Sequence, residues 1–261
     1  MLQRIVLVLS LLALIAIPVQ AQVQIEPFAS TPLSHAAKTL TFSGYQWDVR
    51  SGIGGPGPNQ WSDANVWVDS NGYLHMTISK RDGRWYASEV STQQRLGFGT
   101  YTFQVEGRLD KFDRNVVLGL FNYPPPDVGP DTTNEIDIEF ARWGNPEYPN
   151  GHYTVWPAQT GFSPTTYSFP FRLTKRNPTR SFTSTHRFTW NSQGIWFESF
   201  YGLTTDPAFR FAAWTYAPAN SLDTVPQKAM PVHINLWLLQ GRKPVNGKEV
   251  EVVIRSFTYT P

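Results

Sequence analysis

The chain contains no cysteine. That excludes a disulfide framework and a cysteine-ligated structural zinc, so a protein of this size must rely on its apolar core. An excess of charge of either sign is also lacking. The 22 Lys and Arg stand against 20 Asp and Glu, for a formal +2. A nearly neutral chain has no general electrostatic grip on nucleic acid or on an anionic membrane. No Asn-x-Ser/Thr glycosylation acceptor occurs; Asn177 is followed by Pro178. Helical periodicity is missing throughout, and no Ser sits in a G-x-S-x-G elbow. The five histidines (His35, His75, His152, His186, His233) are scattered without metal-ligand spacing. Gly52-Ile53-Gly54-Gly55-Pro56-Gly57 matches a dinucleotide fingerprint by letter only. Pro58 and Asn59 follow where a helix should start, so the stretch reads as a loop.

Residues 1–21 read as a signal peptide. Arg4 supplies the positive start, Ile5 to Ile17 an apolar run too short to span a bilayer, and Val19-Gln20-Ala21 a cleavage site after Ala21. Removing Arg4 leaves the mature chain at +1 and without a membrane anchor. Export without cysteine or glycosylation acceptors suits a bacterial secreted or periplasmic protein. Residues 22–40 form a lead-in segment, and 41–261 a single domain with no internal repeat or linker.

That domain reads as short β-runs separated by turns. NVWVDSNGYLHMTIS is two alternating strands around Asp69-Ser70-Asn71-Gly72, and Asn-Gly is a strong hairpin signal. FTSTHRFTW and GIWFESFYG form a second pair, turning at Asn191-Ser192-Gln193-Gly194. Further strands are expected at 100–107, 116–123, 134–140, 231–239 and 249–260, with Pro124 to Pro130 a loop. This spacing predicts an all-β, two-sheet antiparallel sandwich. In VHINLWL, Val232, Ile234, Leu236 and Leu238 share one side, and His233, Asn235 and Trp237 the other. One face would seal the core while the opposite face, on a curved sheet, lines a groove. Ten Trp, eleven Tyr and seventeen Phe fill such a core and also suit stacking on sugar faces.

The run NEIDIEF places Glu135, Asp137 and Glu139 on one face and Ile136, Ile138 and Phe140 on the other. Three like charges in a row raise one another's pKa. Glycoside hydrolysis uses two carboxyl groups, about 5 to 5.5 Å apart for retention. Same-face neighbours on a strand have Cα atoms about 6.8 Å apart and the outer pair about 13.6 Å, so glutamates leaning inward approach that distance. Spacing alone leaves three readings open: catalysis, a Ca²⁺ site, and a solvated polar face.

Here the sequence resembles glycoside hydrolase family 16, the β-jelly-roll enzymes that include lichenases, laminarinases and xyloglucan transglycosylases. Glu135-Ile136-Asp137-Ile138-Glu139-Phe140 resembles its active-site strand in the unbulged E-x-D-x-E form. Leu120-Phe121-Asn122-Tyr123, Ile234-Asn235-Leu236-Trp237 and Ala87-Ser88-Glu89-Val90 are similar to its cleft strands. The resemblance spans most of residues 42–260 and implies a concanavalin-like jelly roll with a concave substrate cleft. It further implies a retaining endo-β-glycosidase acting on β-1,3-1,4- or β-1,3-glucan, with Glu135 as nucleophile, Glu139 as acid/base and Asp137 orienting Glu135. Phe121, Tyr123 and Trp237 would stack on sugar rings, and Asn59, Glu89 and Asn235 would bind hydroxyls. No cofactor is required, a structural calcium away from the cleft is allowed, and the expected form is a monomer whose partner is a polysaccharide. Two alternatives stand beside it, a transglycosylase on β-glucan or xyloglucan and a non-catalytic carbohydrate-binding protein. Ser91 replaces an Arg expected two positions after Glu89, the lichenase Cys pair is absent, and Arg142-Trp143-Gly144 departs from the family's usual ending.

Overall fold

A computed structural model describes residues 38–174 and 182–261. The predicted signal peptide and most of the lead-in lie outside the described residues. The remainder of the lead-in is not a tail, because the first strand begins at Lys38 and takes up Lys38, Thr39 and Leu40.

Eighteen strands follow in order. They are β1 (Lys38–Phe42), β2 (Tyr45–Val49), β3 (Gly52–Gly54), β4 (Asn59–Trp61), β5 (Val66–Val68) and β6 (Leu74–Arg81). Next come β7 (Arg84–Tyr86), β8 (Ser88–Thr92), β9 (Gly99–Glu106), β10 (Val116–Asn122), β11 (Ile136–Phe140) and β12 (Gly151–Val155). The last are β13 (Thr165–Phe169), β14 (Thr183–Asn191), β15 (Gly194–Tyr201), β16 (Arg210–Tyr216), β17 (Val232–Leu238) and β18 (Val250–Thr260). The sole α-helix among the described residues is the single turn Ser221–Thr224, and no described helix is long and apolar enough to cross a membrane.

Two antiparallel sheets form a jelly-roll sandwich. One runs β1-β2-β8-β17-β10-β11-β12-β13, the other β16-β15-β14-β9-β18-β6-β5 with β7 added beside β6. Both turn signals act as their residues demand. Asp69 Oδ1 accepts from Asn71 N and Tyr73 N at 2.9 Å each, and Gly72 takes a left-handed φ of 78°. Asn191 Oδ1 accepts from Gln193 N and Gly194 N, closing β14 onto β15. The glycine-rich stretch is more than a loop: Gly52–Gly54 pairs with Asn59–Trp61 as a two-stranded ribbon.

Strand parity decides what lies between the sheets. Val116, Leu118 and Leu120 of β10, Ile136, Ile138 and Phe140 of β11, and Val232, Ile234, Leu236 and Leu238 of β17 all join the inter-sheet core. Met76, Ile78, Phe103, Phe188, Phe197 and Phe257 meet them from the second sheet. Phe121, Tyr123 and Trp237 are absent from that core. They belong to a separate apolar cluster with Trp61, Val117 and Trp143 on the opposite face of the first sheet.

Candidate active site

Register aligns the chemistry into rows across the first sheet. One row reads Ser168, His152, Glu139, Gly119, Asn235 and Glu89 from β13 to β8. The next reads Thr166, Thr154, Asp137, Phe121, His233, Ser91 and Asp48. Glu135 and Tyr123 each follow one step past the last β10–β11 pair, Asn122 with Ile136. The three acids, Phe121, Tyr123, Asn235, Trp237 and Glu89 therefore share one face, whereas Asn59 comes from the ribbon below.

The acid strand is shorter than the seven-residue run. Asn134 adopts φ 54° and breaks the pleat, and its Nδ2 donates to Ala158 O at 2.9 Å. Glu135 stays in the ladder through its carbonyl, which accepts from Trp156 N at 2.9 Å.

The face is not an open groove at the acids. Glu135 and Asp137 are fully buried and Glu139 is 1 % exposed. Burial without a cationic partner disfavours the charged form. Burial, then the Asp137 charge, lifts Glu135 well above the usual carboxylate range. Burial and then Asp137 do the same to Glu139. Burial pushes Asp137 up to about 8, although hydrogen bonds with Glu135 and Trp156 pull it back. Trp156 Nε1 donates to Asp137 Oδ2 at 3.1 Å. As carboxylates, Glu135 and Asp137 only accept, so Glu135 Oε1 and Oε2 and Asp137 Oδ1 find no donor. One proton between the two supplies it.

Glu89 is buried just as deeply but keeps its charge. Burial alone would raise its pKa, yet Arg50 and His233 hold it below the ordinary value. Arg50 Nη1 donates to Glu89 Oε2 at 2.7 Å, and His233 Nδ1 lies 3.1 Å from Oε1. The guanidinium also sits 4.3 Å from the ring centroid of Trp61. Arg50 thus brings from β2's end the positive charge that Ser91 does not supply. Beside Glu139, His152 is a neutral spacer: burial pushes it down to about 4. Its Nε2 donates to Ala141 O at 3.1 Å and its Nδ1 faces Ser168 Oγ at 2.9 Å. Tyr148 stacks on it, and Trp143 lies between it and Trp237.

Asn235 Oδ1 accepts from Gly119 N at 3.0 Å, and its buried Nδ2 has no partner. Only glycine fits at 119, because a Cβ there would lie 2.6 Å from that Oδ1. Asn59 has a different task from the one expected. Its Nδ2 donates to Pro56 O at 2.7 Å and Leu238 O at 2.8 Å, and its Oδ1 accepts from Leu238 N at 3.1 Å. Both amide hydrogens are committed, so it pins the ribbon to β17 and has no hydrogen left for a sugar hydroxyl.

A cavity of about 610 Å³ opens on this face beyond Glu89, His233 and Tyr123. Its wall is Pro124–Pro126, Pro130 and Pro231 on the apolar side and Asp48, Ser91, Gln93 and Asp131 on the polar side. Tyr123 OH donates to Asp131 Oδ1 at 2.8 Å, and Arg95 grips Asp127 with bonds of 2.6 and 2.9 Å, tying the proline loop to the end of β8. Among the described residues no group of three or more His, Asp or Glu is disposed to hold a metal ion, the acid strand included.

Trp156, Arg50, His152 and Asp131 carried no sequence signal of their own. His233 did, by its parity with Asn235.

No family model matches the sequence, and no curated protein matches it. Solved structures do. A Bacillus licheniformis β-glucanase superposes with a TM-score of 0.60 at 18% identity, covering 91% of this chain and 100% of that one. A Bacteroides ovatus mixed-linkage glucan GH16 in complex with a G4G4G3G product gives a TM-score of 0.60 at 12% identity over 82% of this chain and 94% of that one. A Mycobacterium tuberculosis protein described as an immunostimulatory antigen and pseudo β-1,3-glucanase gives 0.59 at 20% identity, over 82% and 91%. The chain shares their fold.

Proposed function

We propose that this chain is a secreted, retaining endo-β-glycosidase that cleaves β-1,3-1,4- or β-1,3-glucan by double displacement. The observation that carries it is the acid row itself. Among the described residues three carboxyls sit buried without a cation on the outer face of the sheet, flanked by an aromatic cluster, and the same face carries, beyond Tyr123 and Glu89, a polar-and-proline cavity. Cores do not keep such groups for stability. The shared fold with β-glucanases points the same way.

Glu139, kept protonated by burial, donates to the glycosidic oxygen while Glu135 attacks the anomeric carbon. Asp137 stands between them with Oδ2 held by Trp156, so Oδ1 is left to carry the proton shared with Glu135. When Asp137 holds that proton, Glu135 is the anion the attack needs. Glu139 then takes a proton from water, and the resulting nucleophile releases the sugar from Glu135. Phe121, Tyr123 and Trp237, each at most 4 % exposed, are the rings assigned to the sugar, with Asn235 Nδ2 as a donor and Glu89, locked in its charged state, as an acceptor for hydroxyls. Gly119, opposite Glu139 in the row, lets the Asn235 amide approach the strand where a Cβ would push it away. The reaction uses no cofactor. Residues 1–21 direct export and are removed, 41–261 form the catalytic domain, and the protein works as a monomer in the bacterial periplasm or medium.

The test is release of reducing ends from mixed-linkage β-glucan, laminarin, xyloglucan and agarose, with Glu139→Gln as blank. Activity on one polymer that the blank lacks supports the reading and names the linkage. Glu135→Ala should lose turnover and regain part of it with azide, yielding a glycosyl azide of inverted configuration. Undiminished hydrolysis by Glu135→Ala refutes the nucleophile. The depth of the acids and the likeness to a protein described as a pseudo β-1,3-glucanase favour a second reading, a carbohydrate-binding protein. Polymer binding with no reducing ends released would establish it.

A further inference from the structure

The far face of the sandwich carries a second recess. On β5 and β6, Val66, Leu74, Met76 and Ile78 point into the core, while Trp67, His75 and Thr77 turn outward. Trp67 pairs with His75, and Thr77 with Glu251 of β18. The indole lies on the imidazole, with centroids 4.9 Å apart and planes at 14°. His75 is itself held between carboxylates, Nδ1 at 2.7 Å from Glu251 Oε1 and Nε2 at 3.4 Å from Asp69 Oδ2. One face of Trp67 is thus backed by a fixed ring, and the residue remains 39 % exposed.

Beside it lies a cavity of about 370 Å³ lined by Trp67, Asn65, Ser79, Arg81, Glu249 and Glu251. Arg81, the cation of that lining, is already engaged with Asn65 Oδ1 at 2.5 Å, Ser79 Oγ at 2.7 Å and Ser62 Oγ at 2.7 Å. Glu249 and Glu251 spend their Oε1 atoms on Lys80 N and His75. Their Oε2 atoms make no hydrogen bond among the described residues, and both side chains are exposed.

We propose that this recess is a second polysaccharide-binding site, where a pyranose ring lies on the open face of Trp67 and its hydroxyls donate to Glu249 and Glu251. A sugar presents what the recess lacks, an apolar C–H face for the plate and a rim of donors for the acceptors. Asp69, Glu249 and Glu251 repel phosphates and nucleic acid, and one half-buried indole is far too small an apolar patch for a protein partner. The choice of a sugar polymer rests on the function proposed above. Because the recess lies on the opposite side of the sandwich from the acid row, a long chain held at both places raises the effective concentration of each.

Native electrophoresis through gels containing mixed-linkage β-glucan or laminarin tests this, with a polymer-free gel as control. Trp67→Ala should weaken the polymer-dependent retardation, raising the apparent Kd roughly 3- to 10-fold, as expected for loss of one stacking contact. Trp67→Phe, which keeps a ring on His75, should recover part of it, and Trp67→Ala/Trp237→Ala should abolish it. Full retardation of Trp67→Ala alongside loss in Trp237→Ala overturns the second site and leaves the cleft intact. A wild type that neither polymer retards overturns both.

Discussion

Replacing Asp137 by Asn should flatten the pH dependence of stability between pH 5 and 7.5. In the unfolded chain this carboxyl titrates near the ordinary aspartate value of 3.8, whereas in the fold it is pushed up to about 8. Across the window between those values the folded state holds a proton that the unfolded state has lost. Stability from this group is complete below about pH 4 and drains away as pH rises towards 8. Each pH unit costs about 1.4 kcal/mol per proton, so the step from pH 5 to 7.5 costs about 3 kcal/mol for Asp137 alone. Asparagine keeps the shape and an oxygen for Trp156 Nε1, and it removes the titration. His152 and His186, pushed by burial to about 4 and about 3, work in the opposite direction below pH 6.5. They are common to both proteins and cancel in the comparison.

Urea unfolding of both proteins at pH 5, 6, 6.8 and 7.5 gives the difference directly, provided that m stays constant. The variant should gain on the wild type with every step upward, by about 3 kcal/mol in all. Parallel curves would refute the reasoning, since they would mean that Asp137 is ionised in the fold and the acid row is solvated.

Trp156→Phe keeps the ring and removes the donor to Asp137 Oδ2. It should cost about 1.5–3 kcal/mol and move the acidic limb of the pH–rate profile upward, because that donor lowers the Asp137 pKa; a limb that stays put would show that Trp156 merely packs. Asn59→Ala should lower stability by about 2–4 kcal/mol, leaving the Leu238 amide and carbonyl and the Pro56 carbonyl short of partners. A variant of wild-type stability with a raised KM would instead restore the sugar-binding role first expected of Asn59.

Period-two alternation made the fold legible wherever a strand is covered on one side. VHINLWL and EIDIEF each separate aliphatics from functional groups, and the sheet respects both divisions. Strands β12, β13 and β16 escaped notice because Gly151–Val155 is buried on both faces and the other two are largely exposed edges. Parity also separated Trp237 from the inter-sheet core. What it could not provide was the neighbour across the sheet. Arg50 reaches Glu89 over 39 positions of sequence and His233 over 144, and Trp156 meets Asp137 because of how β11 and β12 register. Asn59 misled for the complementary reason. The family resemblance implied a sugar-binding Asn there, whereas the backbone of a strand 179 positions away had already claimed the amide.

The two ways in which this face buries a carboxylate argue for a division of labour. Glu139 and Glu89 stand in one row three strands apart, roughly 14 Å, and both are withdrawn from water. Glu89 is neutralised by a guanidinium and an imidazole, which preserve its charge at a desolvation cost they offset. The triad receives neither, although the same sheet shows that the chain is able to deliver them. Uncompensated acids this deep persist in a folded protein only where they hold or share protons, here one on Glu139 and one between Glu135 and Asp137, and a proton so held is one that is given up when a substrate changes the surroundings. A fixed acceptor at Glu89 and a proton store at Glu135, Asp137 and Glu139 are the two things that hydrolysis of a hydroxyl-rich polymer asks of one surface.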